Sequence, residues 1–223
     1  MKTFKALAAL LNYPEADLVA AVPEIEQVLR EEKLVSKDAL RALQALLDAL
    51  RGEELMDLQE RYVGLFDRVR SLSLHLFEHV HGESRDRGQA MVDLRALYLG
   101  KGYALATDEL PDFLPAFLEF LAYLPLAEAR PLLADTAHLL ESIGARLAKR
   151  GSAYAAPFHA LLEIAGAPRA RVSAVTDDEI RAEDDPATLD EAWREQPAFG
   201  PVSACGGASA QVAPVKFYKG VAA

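Results

Sequence analysis

SKDALRALQALLDALRG, residues 36–52, decides the fold class. Ala39, Leu40, Leu43, Leu46, Leu47 and Leu50 recur at three- and four-residue spacing, which gathers them on one side of an α-helix and leaves the charged residues on the other. Ser36 is an N-cap residue and Gly52 a helix stop. The same period continues in both directions. Upstream, Phe4, Leu7, Leu10 and Leu11 predict a helix over Thr3–Leu11, with Thr3 as its cap and Asn12-Tyr13-Pro14 as its end. A second helix is expected over Pro14–Glu32, broken or kinked at Pro23, whose ring removes a backbone donor. Downstream, Leu55, Leu58, Tyr62, Leu65 and Phe66 predict a helix over Glu53–Arg68 that loosens at Ser71–Ser73.

Further along, Leu74–Val80 reads as a short helix and Gly82 as a turn. Ser84 is placed to cap a helix carrying Met91, Leu94, Leu97 and Tyr98, stopped by Gly100 and Gly102. Gly88 falls inside that helix, where glycine costs ~1 kcal/mol relative to alanine, so either another backbone's close approach or tight helix contact is expected. Asp112 is expected to cap the next helix, with Pro115 harmless in its first turn. Apolar residues surround that helix from Phe113 to Leu124, and its lone charge, Glu119, is expected at a solvent-filled groove. Leu126–Arg150 reads as one long amphipathic helix, and Ser152–Gly166 closes the body. The expectation is an all-α, single-domain bundle of roughly eight helices. It assigns residues 1–166 to the helical domain and 167–223 to an acidic, largely flexible tail. Between Thr176 and Glu195 nine acids face Arg181 and Arg194, a local charge of −7. Leu189, Ala192 and Trp193 are the candidates for a short docking helix there.

Composition narrows the function. A net charge of −10 argues against nucleic-acid partners, which need a basic surface. The single cysteine, Cys205, excludes an internal disulfide and a cysteine-based zinc site, and suits a reducing compartment, so the cytoplasm is expected. The apolar run Ala6–Leu11 is too short for a secretion signal. Phe113–Ala127, interrupted by Glu119 and two prolines, falls short of a ~20-residue membrane span, and no direct membrane insertion is expected.

The polar chemistry is concentrated in LFDRVRSLSLHLFEHVHGESRDRGQAMVDL, residues 65–94, which holds three of the five histidines and a mixture of both charge signs. Its Leu76–Met91 core, LFEHVHGESRDRGQAM, resembles the signature of the NarJ-type respiratory nitrate reductase assembly chaperones, relatives of the TorD/DmsD-like redox-enzyme maturation proteins. The resemblance extends to YVGLFDR (62–68) and ELPDFLPAFLEFLA (109–122), and loosely covers Thr3 to Gly166. It implies a non-enzymatic chaperone that binds the N-terminal segment of the apo catalytic (alpha) subunit of a nitrate reductase. Such a protein promotes insertion of the molybdenum cofactor and a nearby iron–sulfur cluster before membrane docking, and needs no tightly bound cofactor itself.

An amphipathic client helix in a groove is the expected mode of binding. Phe77, Phe117 and Phe120 are candidate apolar contacts, and Glu83, Asp86 and Glu119 candidate receivers of positive charge. Glu78, His79, His81, Ser84, Arg85, Arg87 and Asp112 complete the candidate peptide-binding set, with the histidines making affinity pH-dependent. Two other readings compete. His75-x-x-Glu78-His79 fits an inverted zinc-hydrolase pattern, which needs both histidines on one helix face and a third ligand. A general helical interaction scaffold needs no specific client at all.

Overall fold

The computed structural model describes residues 1–81, 85–105, 109–168, 175–185 and 187–188, all within one compact unit, Met1–Ala192. These residues form eleven α-helices, and the pairing of extended backbone among them is limited to one isolated bridge. α1 (Lys2–Leu10) packs on both α2 (Ala16–Glu32) and α7 (Leu114–Tyr123). α2 packs on α3 (Lys37–Gly52), α3 on α10 (Ala155–Ala165), and α10 on α8 (Leu126–Asp135) and α9 (Ala137–Lys149). One apolar core runs through this series, with Phe4, Leu7, Leu43, Leu118, Leu140, Phe158 and Leu161 fully buried.

The ends of the helices are tied across the bundle. Ser36 Oγ accepts from the Ala39 N–H at 3.2 Å, the expected cap of α3. The Glu163 carboxylate of α10 accepts from the Ser36 N–H and hydroxyl, so the cap also joins α3 to α10. Thr3 does not cap α1. It is buried inside the helix, and Glu32, at the end of α2, accepts from the Lys2 and Thr3 N–H groups at 2.7 and 2.6 Å. An acceptor brought in from thirty residues away therefore lets the helix begin earlier than a local reading expects.

Other boundaries depart for similar reasons. α2 continues through Pro23, which is exposed, because burial of Val22, Ile25 and Leu29 along its inner face outweighs one lost backbone bond. The helix expected over Glu53–Arg68 is shorter: α4 (Leu55–Tyr62) gives way to a π-turn over Val63–Asp67, closed by Arg68 N–H to Val63 C=O at 3.1 Å. The wide turn holds both Tyr62 and Phe66 inside, in an aromatic cluster with Tyr154. Burial pushes the Tyr154 phenol up to about 12. The expected 126–150 helix divides at Thr136, whose hydroxyl donates to the Leu133 carbonyl at 2.8 Å and closes α8.

In the acidic stretch a further helix, α11 (Asp177–Asp184), is capped by a reciprocal Thr176–Glu179 pair and lies against α9. The residues expected to form a docking helix, Leu189, Ala192 and Trp193, lie outside the described residues.

Gly88 contradicts both reasons offered for it. It is exposed on α6 (Arg85–Gly100), and a Cβ added there meets nothing within 4 Å. Gly88→Ala is accordingly expected to raise stability by ~0.5–1 kcal/mol, and Ser36→Ala to lower it by ~1 kcal/mol. Urea unfolding midpoints measure both; a lower midpoint for Gly88→Ala would contradict the open site.

Candidate functional site

The signature block folds as two helices, α5 (Leu76–His81) and α6, joined through residues 82–84. α5 is six residues long, too short to be stable by itself, and its position is imposed from outside. Leu74 C=O accepts from the Leu114 N–H at 2.8 Å, and Asp112 C=O from the Leu76 N–H at 3.0 Å, so the residues entering α5 pair antiparallel with those entering α7. Asp112 completes the junction. Its side chain is 0 % exposed; Oδ2 accepts from the Phe77 N–H at 3.0 Å, and Oδ1 stands 3.4 Å from His75 Nδ1. Asp112 was expected to cap α7. It caps α5 instead, while the N-cap position of α7 is Phe113 and has no side-chain cap.

The histidines and charges around this junction have separate tasks. The hydrogen bond to Asp112 raises the His75 pKa, against an opposing effect of partial burial. His79 Nε2 donates to the Ser73 carbonyl at 2.8 Å, and the His81 ring meets the Phe77 ring edge-on at 5.8 Å. Arg87 on α6 pairs with Glu78 on α5 at 3.2 Å, which explains an arginine in the first turn of a helix, where the dipole disfavours it. Tyr98 anchors the far end of α6: it is buried, its hydroxyl donates to Pro111 C=O at 2.7 Å, and its ring lies 4.4 Å from that of Phe120.

The zinc-hydrolase pattern is not realised. His75 stands before α5, in the bridge; His79 is turned to a backbone carbonyl and Glu78 to Arg87. No set of three His, Cys, Asp or Glu side chains suited to a metal occurs among the described residues.

Of the expected binding residues, Phe77, Glu78, His79 and His81 lie on α5, where Glu78 meets Arg87 of α6, and Asp86 is exposed in the first turn of α6. Phe117 and Phe120 are each only 4 % exposed and belong to the core, where the Phe120 ring packs against those of Tyr98 and Tyr103. Glu119 is exposed on the opposite side. Glu83 and Ser84 lie outside the described residues, and of Arg85 only the backbone is described. Two apolar residues that the sequence reading does not single out, Val92 and Leu99 on α6, are 61 % and 56 % exposed. The pattern was readable, because Met91, Val92, Leu94, Leu97, Tyr98 and Leu99 encircle more of the helix than one buried face can use. A groove of about 600 Å³ lies apart from this site, floored by Ala6, Ala9, Ala21, Ile25 and Val28 of α1 and α2.

Residues 21–160 match the family model described as nitrate reductase delta subunit. The chain belongs to that family. It is 44 % identical over 192 residues to the nitrate reductase molybdenum cofactor assembly chaperone NarJ of Escherichia coli, a match covering 85 % of this chain and 81 % of that protein. It is 38 % identical over 197 residues to the probable assembly chaperone NarW of the same species, covering 88 % and 82 % of the two chains. A probable NarJ of Bacillus subtilis is 29 % identical over 160 residues, 72 % of this chain and 86 % of that one. The family match spans α5, α6 and α7, so the Asp112 junction lies wholly within it.

That junction has a pH signature. A histidine whose folded-state pKa exceeds its unfolded value adds stability below the unfolded value, about 6.5, and the contribution is lost as pH rises through the folded value. NMR titration is therefore expected to place His75 above ~6.5 and to show a fall in Asp112→Asn. Unfolding of Asp112→Asn is expected to require ~2 kcal/mol less than wild type, from lost charge-assisted bonding. A His75 pKa unchanged by the substitution would contradict the pairing.

Proposed function

We propose that this protein is an assembly chaperone that holds the apo catalytic subunit of a nitrate reductase by its N-terminal segment, on the face formed by α5 and α6. The observation that carries the reading is the incomplete burial of α6. Its inner side is anchored by Tyr98, with Leu94 and Leu97 half-buried, while Val92 and Leu99 stand in water about two turns apart. An amphipathic helix laid along that stripe would cover it, with Phe77 and the polar residues of α5 at one end and Asp86 beside them. The relatives' names support a role in nitrate reductase molybdenum cofactor assembly.

In this reading the cofactor is cargo of the client and never a group of the chaperone. Keeping the N-terminal segment engaged leaves the remainder of the subunit free to accept the molybdenum cofactor and the iron–sulfur cluster, and delays docking at the membrane. No helix among the described residues is long and apolar enough to cross a membrane.

Calorimetric titration of the full chain with a synthetic peptide of the client's N-terminal segment tests this. Val92→Asp and Leu99→Asp should each weaken binding by about tenfold or more, since a charge replaces apolar area in the contact. Met56, which is exposed on α4, is the control position: Met56→Asp should leave the affinity unchanged. Equal affinities in all variants would remove α6 from the contact, and an absence of binding by wild type would remove the client assignment.

A further inference from the structure

The last turn of α9 carries Arg146, Lys149 and Arg150, and α11 places acidic residues against all three. Arg146 Nε donates to Glu183 at 2.9 Å, Arg150 Nη2 to Glu183 at 2.8 Å and to Asp184 at 2.9 Å, and Lys149 Nζ lies 2.8 Å from Asp177. Asp177 and Asp184, seven residues apart on one capped helix, share a side, and Glu183 flanks it. Among the described residues, α11 is held by these ion pairs and by Val175, buried just before its N-cap, with Ile180 half-buried. None of its side chains is buried, and Asp177 and Asp184 remain 72 % and 49 % exposed. Exposed ion pairs are individually weak and salt-sensitive.

The basic side of the contact is built differently. The Arg150 side chain is only 9 % exposed, and its second terminal nitrogen, Nη1, is buried without a hydrogen-bond partner among the described residues. Neither Glu183 nor Asp184 accepts from this nitrogen, so the guanidinium keeps one donor that α11 does not use. Arg146 is held in place by Ser142, whose hydroxyl accepts from Nη1 at 2.6 Å, so the cationic pair is oriented from α9 itself.

We propose that the end of α9 is a docking site for an acidic, N-capped protein helix, and that α11 is its resident, displaceable occupant. A partner segment with carboxylates at the α11 spacing and one further acceptor for Arg150 Nη1 exchanges with α11, and α11 in turn restricts access to segments of that pattern. The site is separate from the α5–α6 face in residues. The chain's net charge of −10 makes unspecific capture of an acidic helix unfavourable, which makes any such binding diagnostic.

The test uses the full chain and a fluorescein-labelled, N-acetylated peptide of residues 175–185, read by fluorescence anisotropy. Opening the site with Glu183→Gln and Asp184→Asn in the chain should tighten peptide binding by about tenfold, because the resident competitor is weakened. Adding Arg150→Gln to the opened chain should abolish binding, and adding Lys149→Gln should weaken it severalfold at an unchanged melting temperature, which keeps the test valid should the arginine variant misfold. Raising salt should release the peptide. Equal binding by the opened and wild-type chains, no binding by either, or equal binding of a scrambled peptide would overturn the proposal.

Discussion

A buried carboxylate organises the junction between α5 and α7. Asp112 has no contact with water, and an ionised group in that position is tolerated only when donors are fixed around it. The Phe77 N–H and the His75 ring are those donors, and both belong to the segment that enters the signature block. The requirement acts in both directions. α5 is too short to hold its own conformation, and Asp112 cannot be buried without it. Because Asp112 immediately precedes α7, and α7 packs against α1, the position of the signature block is set by the deepest part of the core rather than by the loop around it.

A second consequence concerns how α6 is presented. It is fixed at its start through the Arg87–Glu78 pair and near its end through Tyr98, while the surface between these points is covered on one side only. A helix held at two points with an apolar stripe facing water is organised before any partner arrives, which lowers the ordering cost of association. The same arrangement explains why Gly88 meets no neighbour within the chain. Exposed apolar area of this kind is a liability in a protein with no use for it, and the proposed client contact supplies one.

The bundle was legible from the sequence where the apolar period is clear: α1 and α3 follow it closely. It was not legible where a distant residue settles a local question. Glu32 caps α1 from the end of α2, and Asp112 turns away from its own helix to cap another; neither contact has a trace within a few residues. Thr136 divides α8 from α9 through a hydroxyl–carbonyl bond that competes with helix continuation, a choice that periodicity leaves open. The candidate site was legible in part for the same reason. Residue types in the signature block marked the region, but spacing alone did not separate Phe77, on the α5 surface, from Phe117 and Phe120, which are core. Nor did the histidine pattern reveal that His75 precedes the helix rather than sharing its face with His79.

Hydrogen–deuterium exchange on the full chain, with and without the client's N-terminal peptide, tests the central claim most directly. Backbone amides throughout Leu76–His81 and Arg85–Leu99 should gain protection on binding, while those of α3 and α10 keep their rates. Protection confined to α1 and α2, around the groove floored by Ala9 and Ala21, with α5 and α6 unchanged, would contradict it.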